Sequence, residues 1–412
     1  MKKLFVLLVL LVQIAFNCKA QIIAQWRGTD RNGVYIEKNL LKSWPVNGPQ
    51  LIWVNEKIGN GFGSPAVTPD RIYITGEKDS IAYLNALDLK GNILWKSDFG
   101  KDWVRSFPGS RSTPTVIGDL IYVCSGLGNL ACFDAKTGSK KWFVDKQKDL
   151  HGNPTLHGHS ESLLIDGDKV FLTPGGVDTN IVALNRYTGK IIWISKGKGE
   201  RPGYNSSILI KLLQRNIVVT FTAYSMLGID SKTGELLWSQ EQDNTPLTER
   251  KPGNGDTYAN SVWFENGFIY YIAGDGNCAV KLELSEDGKQ IKQVWRNKSI
   301  DNFMGGFIKL GEKIYSCTNS RRDLKCIDAK TGQVLDSLKV GIGSIIFADK
   351  LLYYYNQKGE VNLIKPTPEN LELISTFKIK NGSLEHFSHP VINNGVFYIR
   401  HGKALMAYNI KE

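Results

Sequence analysis

Four of the six histidines fall in two short stretches, His157 and His159 near the middle of the chain and His386 and His389 near its end. Imidazoles so placed could ligate a metal or move protons. Zinc asks for three or four N, S or O ligands at about 2.0–2.3 Å, and no His-Glu-x-x-His stretch supplies them. Gly-x-Ser-x-Gly and Gly-x-x-x-x-Gly-Lys stretches, the marks of a nucleophile elbow and a phosphate loop, are also missing. No metal site is expected. The groups that remain are Arg111, Glu161, Asn205, Asn260 and His389. Each is costly to bury unpaired, and each precedes a strand-like run. Beside them stand the rings of His159, Tyr204, Tyr258, Phe303 and His386. Together they would make a mouth of mixed rings, charges and amides, the usual form of a small-molecule site. Arg111 could grip a carboxylate or sulfate, Glu161 could orient it or act as a base, and Tyr204, His159 and Arg111 are the agents to expect of a lyase or hydrolase on acidic sugars.

The elements that must position these groups are short strands. Apolar runs such as RIYITG, LIYVCSG, KVFLTPGG and FIYYIAGDG alternate with Gly/Asp/Asn turns, and no helical period appears beyond the N-terminus. The runs repeat. A small residue or Cys, then Asp or Asn, a Gly and a Trp recur as Ala86, Asp88, Gly91, Trp95; Cys132, Asp134, Gly138, Trp142; Ala183, Asn185, Gly189, Trp193; and Gly228, Asp230, Gly234, Trp238. A fifth copy is read from Leu282 to Gly288 and reaches Trp295 after an insertion. A sixth runs Cys326, Asp328, Gly332, with Asp336 where Trp belongs, and a worn seventh lies between Val361 and Phe377. Each copy is read as strand, turn and strand of a four-stranded blade. Asp caps the turn, Gly supplies positive φ, and Trp offers a flat face to the next blade.

The last copy is split between the chain's ends. Ala407-Tyr408-Asn409 opens a repeat that Gly48-Pro49-Gln50-Leu51-Ile52-Trp53 would complete. The expectation is therefore an all-β, eight-bladed β-propeller over residues 48–412, its ring closed by an N-terminal strand pairing with the C-terminal blade. Residues 21–47 would lie on it. Aligned repeats put the inner-strand starts, from Phe62-Gly63-Ser64 through Phe387-Ser388-His389, around one mouth of the central channel.

Lys2, Lys3, the apolar run Leu4 to Phe16 and the small Ala20 read as a secretory signal over residues 1–20, which makes the protein exported, with the periplasm as its expected compartment and the outer membrane as a further one. Lipid anchoring at Cys18 is the less favoured alternative, because Phe16 and Asn17 precede it. No run is apolar for long enough to span a bilayer. Loss of Lys2, Lys3 and Lys19 would lower the net charge from +11 to +8 without leaving a Lys/Arg cluster, so a nucleic-acid partner is not expected. Cys124/Cys132 and Cys317/Cys326 occupy matching strand slots. They read as buried thiols, with cross-strand disulfides as the alternative.

The Ala-x-Asp-x-x-x-Gly-x-x-x-Trp copies resemble those of pyrroloquinoline-quinone (PQQ)-type propellers, which include quinoprotein alcohol dehydrogenases and the propeller lipoprotein of the outer-membrane assembly machine. Trp26-Arg27-Gly28, Arg31-x-Gly33, Trp44-Pro45, Gly48-Pro49 and Trp53 resemble the opening of PQQ-binding-like propellers, and Ser388-His389-Pro390-Val391 resembles their last blade. The resemblance is specific for fold and weak for function. A quinoprotein dehydrogenase, using PQQ on alcohols or sugars, would usually bring two adjacent cysteines and calcium ligands, and the sequence has no Cys-Cys pair. A binding or scaffolding module that holds a small molecule, glycan or protein at its mouth asks for less and is the preferred expectation. The dehydrogenase and the acidic-glycan enzyme are the alternatives.

Overall fold

The computed structural model describes residues 22–241, 258–274, 278–368 and 370–412. The segment read as a secretory signal, residues 1–20, and Cys18 within it lie outside them. Eight antiparallel sheets succeed one another along the chain. The first holds Ala66–Val67, Ile72–Lys78, Ile81–Leu87 and Ile93–Lys101, and the rest follow in the same order. The eighth holds Val391–Asn393, Val396–His401 and Ala404–Asn409, with Gln50–Asn55 as its outer strand. That strand pairs Trp53 with Ala407 and Val54 with Met406, so the two ends of the chain close the ring. The protein is an eight-bladed β-propeller.

Its core is divided. Eight buried apolar clusters lie one between each pair of adjacent blades, from Tyr73, Leu84, Val123 and Phe133 between the first and second to Ile72, Ile74, Tyr398 and Leu405 between the eighth and first. Such a ring gains stability interface by interface. The repeat residues build those interfaces. Each Trp leans over the turn of the next blade, where Trp142 Nε1 donates to Arg186 O at 2.9 Å and Trp193 Nε1 to Ser231 O at 3.1 Å. The turn glycine has two tasks. Gly138 has φ +72°, and a Cβ there would stand 2.6 Å from the Trp95 ring, so a side chain would be strained and would also push the neighbouring blade away. Asp134 accepts from Lys136 N and Thr137 N, as the repeat implies. Where Asp336 replaces Trp, its carboxylate accepts instead from Leu371 N of the seventh blade.

The register corrects the reading of the fifth copy. In five blades the residue across from the repeat's Trp is small: Ala86, Cys132, Ala183, Gly228 and Ala407. In the fifth blade Trp295 faces Lys281, not Leu282, because two further residue pairs lengthen this hairpin before its turn. Spacing counted back from Gly288 misses that extension.

Register also decides the cysteines. Cys124 faces Leu130 while Cys132 faces Tyr122, and Cys317 faces Leu324 while Cys326 faces Tyr315. The members of each pair are diagonal neighbours, separated by roughly 7–8 Å, too far for a disulfide without backbone movement. All five described cysteines are buried and free.

Residues 22–47 do more than cover the ring. Ile23–Ala24 adds to the inner edge of the second blade, and Val34–Tyr35 adds in parallel to that of the seventh. The intervening turn therefore crosses the central channel. Arg31 donates to Ser162 O at 2.6 Å and Leu163 O at 3.2 Å on the third blade, and Arg27 donates to Phe307 O at 2.8 Å and Ile345 O at 3.0 Å on the sixth and seventh. Further on, Trp44 is buried against Tyr353, Phe377 and Phe397.

Candidate functional site

The inner strands begin at one mouth of the channel and alternate in facing, as strands must. One residue looks into the channel and the next into its own blade. In the second blade Arg111 and Thr113 line the cavity while Ser112 donates to Cys124 O. In the third, Ser160 and Ser162 line it, and Glu161 turns away to accept from Thr173 N at 2.9 Å and Ser207 Oγ at 2.7 Å. Asn205 likewise accepts from Phe221 N, and Asn260 donates to Ile272 O and Asn302 O. Ser388 donates to Arg400 O. This second position thus ties the inner strand to its neighbour strand in blade after blade. Hydroxyls at the channel-facing positions staple neighbouring blades: Ser64 N donates to Thr113 Oγ1, Thr113 N to Ser162 Oγ and Ser162 N to Ser206 Oγ.

The result is a cavity of about 230 Å³ with walls from seven blades and Trp26 of the crossing segment at its base. Phe62, Phe107, Tyr204, Phe303 and Phe387 give it flat apolar walls, and Ala259 and Met304 fill between them. Of the nine residues expected at the mouth, Arg111, Tyr204 and His389 line this cavity. His159, Glu161, Asn205, Tyr258, Asn260 and His386 do not. His159 is buried 3.4 Å from Glu161, and Tyr258 is stacked on Phe221. His386 is stacked on His401 with ring centroids 3.7 Å apart and bonded to the Tyr355 hydroxyl. Glu161 does not orient Arg111, which bonds locally instead. Arg111 donates to Gly109 O, Ser106 O and Phe107 O, and burial lowers its pKa to about 10, which leaves it cationic at neutral pH. Met304 stands at an inner-strand start, as the aligned repeats imply, whereas Trp26 and Phe107 were not placed at the mouth from sequence. Alternation would have favoured Ser160 and Ser162 over Glu161, but Trp26 and Phe107 sit in irregular chain and carry no such signal.

His389 joins the wall to the crossing segment. Its Nδ1 accepts from Arg27 at 3.1 Å and its Nε2 faces Met304 O at 3.0 Å, an arrangement that calls for the neutral ring. Burial, then the Arg27 charge, pushes its pKa down to about 3; burial and His401 take His386 down to about 4. Both folded values lie below the unfolded one near 6.5. The stability these rings contribute is therefore complete above pH 6.5 and is lost as pH falls toward 4 and then 3. Unfolding near pH 5 should bind one to two protons at these rings, a slope of about 1.4–2.7 kcal/mol per pH unit, the smaller figure allowing for the half-exposed His386. Urea titrations at pH 5–7 measure the slope, and His389→Gln should remove about half of it.

Among the described residues no cluster of three or more His, Cys, Asp or Glu could hold a metal, and no helix is long and apolar enough to cross a membrane. The PQQ_2 family model, described as outer membrane protein assembly factor BamB, matches residues 78–337, more than half of the chain. The chain belongs to that family. Relatives of the PQQ_2 propeller differ in their names. BamB of Moranella endobia is 26% identical over 304 residues, 69% of this chain and 70% of that protein. Quinoprotein alcohol dehydrogenase PedH of Pseudomonas putida is 27% identical over 200 residues, 44% of this chain. The matches to PedH and two quinoprotein ethanol dehydrogenases cover only 33%, 20% and 24% of those proteins' lengths. Among solved structures, BamB from Moraxella catarrhalis superposes with a TM-score of 0.63 at 13% identity, covering 88% of this chain and 99% of that one. A europium-containing methanol dehydrogenase gives 0.63 at 12%, covering 92% and 90%. At such identity the likeness concerns the PQQ-type fold alone.

Proposed function

We propose that this PQQ-type propeller is a binding module of the periplasm, and that its mouth cavity holds an apolar or aromatic group of a small molecule or a protein partner. The observation that carries this reading is the composition of the wall: rings and small residues, one guanidinium already bonded to backbone carbonyls, and no carboxylate among the described lining residues. An apolar cavity of roughly 150 Å³ accepts benzene, so about 230 Å³ has room for an indole-sized group. The Arg111 guanidinium, with three of its five N–H groups used on backbone carbonyls, keeps the charge and two donors for a carboxylate on that group. The outer-membrane assembly factors among the relatives favour a protein as the bearer, and the apolar N-terminal segment, read as an export signal, supports the compartment.

The dehydrogenase reading draws on the quinoprotein relatives and on the flat walls. PQQ would supply a flat, polycarboxylated redox centre, with calcium to polarise it. The residues present do not fit that pair. Among the described residues one cation faces the cavity, and the nearby groups with the chemistry of calcium ligands, Glu161, Asn205 and Asn260, are turned into the blades and satisfied there. Glu161 is for the same reason poorly placed as a base. The acidic-glycan reading would need His159 beside Tyr204 and Arg111, and His159 lies behind the wall.

Indole-3-acetate, an acidic oligosaccharide, and PQQ with Ca²⁺ should be compared by thermal shift. At ten times its Kd, indole-3-acetate is expected to stabilise the protein by about 1.4 kcal/mol. Ala259→Trp, which fills the cavity, should abolish that shift while leaving the unliganded Tm unchanged. Dye-linked alcohol oxidation that depends on added quinone would replace the binding role with the dehydrogenase, and cleavage of the oligosaccharide would replace it with the glycan enzyme.

A further inference from the structure

Lys281 is the cation that stands where six other blades carry Ala, Cys or Gly, and its surroundings differ accordingly. On the face of the ring opposite the mouth, between the fifth and sixth blades, a groove of about 340 Å³ is lined by Lys281, Lys309, Phe268 and Tyr270, among others. The two lysines are 8% and 6% exposed. Lys309 is already paired, since its Nζ bonds the Glu265 carboxylate and Gly311 O. Lys281 has no such partner. Its Nζ stands 4.0 Å from the centroid of the Phe268 ring and 5.5 Å from that of Tyr270, and no described residue offers it a hydrogen-bond acceptor. Asp328 and Glu283 act on it only through space, Asp328 accepting from Lys330 N and Thr331 N in its own turn, and Glu312, which also lines the groove, makes no bond to it. A lysine whose side chain is largely covered, with its ammonium held over aromatic faces at the groove and short of a protein acceptor, is a half-made ion pair. Burial, then the neighbouring charge of Lys309, lowers its pKa, the direction that an incoming anion would reverse.

We propose that the groove between the fifth and sixth blades is an anion-binding site in which Lys281, with Lys309 and Lys330 at its edge, takes a phosphate or sulfate group of a small molecule. The site is separate from the mouth and does not depend on what the mouth binds. The longer hairpin of this blade makes it, since the added pairs carry the strand on past Lys281 and leave the lysine inside the interface rather than at a turn.

The test uses Lys281→Ala, which restores the residue that the first, third and eighth blades carry, so the ring should fold. Inorganic phosphate and sulfate should raise the wild-type Tm by about 2 °C or more over chloride at matched ionic strength, and Lys281→Ala should lose that excess. In the wild type, phosphate should also slow acetylation of Lys281 by an N-hydroxysuccinimide ester at least threefold, read by mass spectrometry, while exposed lysines react unchanged. Equal shifts in phosphate and chloride, an undiminished phosphate shift in Lys281→Ala, or acetylation of Lys281 indifferent to phosphate would each overturn the assignment.

Discussion

Deletion of residues 48–56 is expected to abolish the cooperative unfolding transition and leave aggregated protein. Those residues supply the outer strand of the eighth blade, Gln50–Asn55, and its Trp53, which packs into the interface between the eighth and first blades. Without them, Ala404–Asn409 presents unpaired backbone along an edge flanked by buried apolar surface, which invites pairing with another chain. Trp53 Nε1 also donates to Leu89 O of the first blade at 2.9 Å, and a Cβ on Gly91 would stand 2.6 Å from the Trp53 ring. The loss therefore opens a blade and uncouples the ring's seam together. Circular dichroism melting and size-exclusion chromatography decide the matter. A truncated monomer that melts like the full chain would mean that the ring is not closed by this strand.

Arg27→Met should have the next largest effect. The guanidinium is buried in the channel, bonded to Asn32 O, Phe307 O and Ile345 O and to His389, with Gly33 and Gly306 packed so closely that a Cβ on either would stand 2.4 or 2.1 Å from it. Methionine fills the space but leaves the carbonyls without donors. Leaving three buried carbonyls without their donors costs about 1–3 kcal/mol each, and about 3–5 kcal/mol in all corresponds, for a chain of this size, to a fall in Tm of about 4–6 °C. A second readout separates this from general loosening. With the Arg27 charge gone, the His389 ring should titrate above its value of about 3, visible by NMR. An unchanged Tm would show that the crossing segment is not anchored through Arg27, and a lower Tm without movement of the His389 titration would place the effect elsewhere.

The mouth residues were legible by type and misread by direction. Arg111, Tyr204 and His389 reach the cavity, whereas Glu161, Asn205 and Asn260, one strand position out of phase, serve as brackets between the inner strand and its neighbour. A repeat alignment brings equivalent residues together but leaves open which of two adjacent positions faces the axis, and a shift of one residue turns every side chain to the other face. The irregular chain around Trp26 and Phe107 had no period to read at all.

By itself the sequence determined the blade count, the closure of the ring by the two ends and the residues of the blade interfaces. Those follow from local rules, since turn residues, strand alternation and a Trp at fixed spacing recur wherever the same short-range problem recurs. Tertiary structure alone decided that residues 26–33 cross the channel and give the mouth a base, that Arg27 neutralises no acid but satisfies carbonyls from distant blades, and that Lys281 lies within an interface. Each of these depends on groups hundreds of residues apart or on a strand extension that displaces the register. Their energies come from burial and from unpaired polar groups, which have no counterpart in residue spacing.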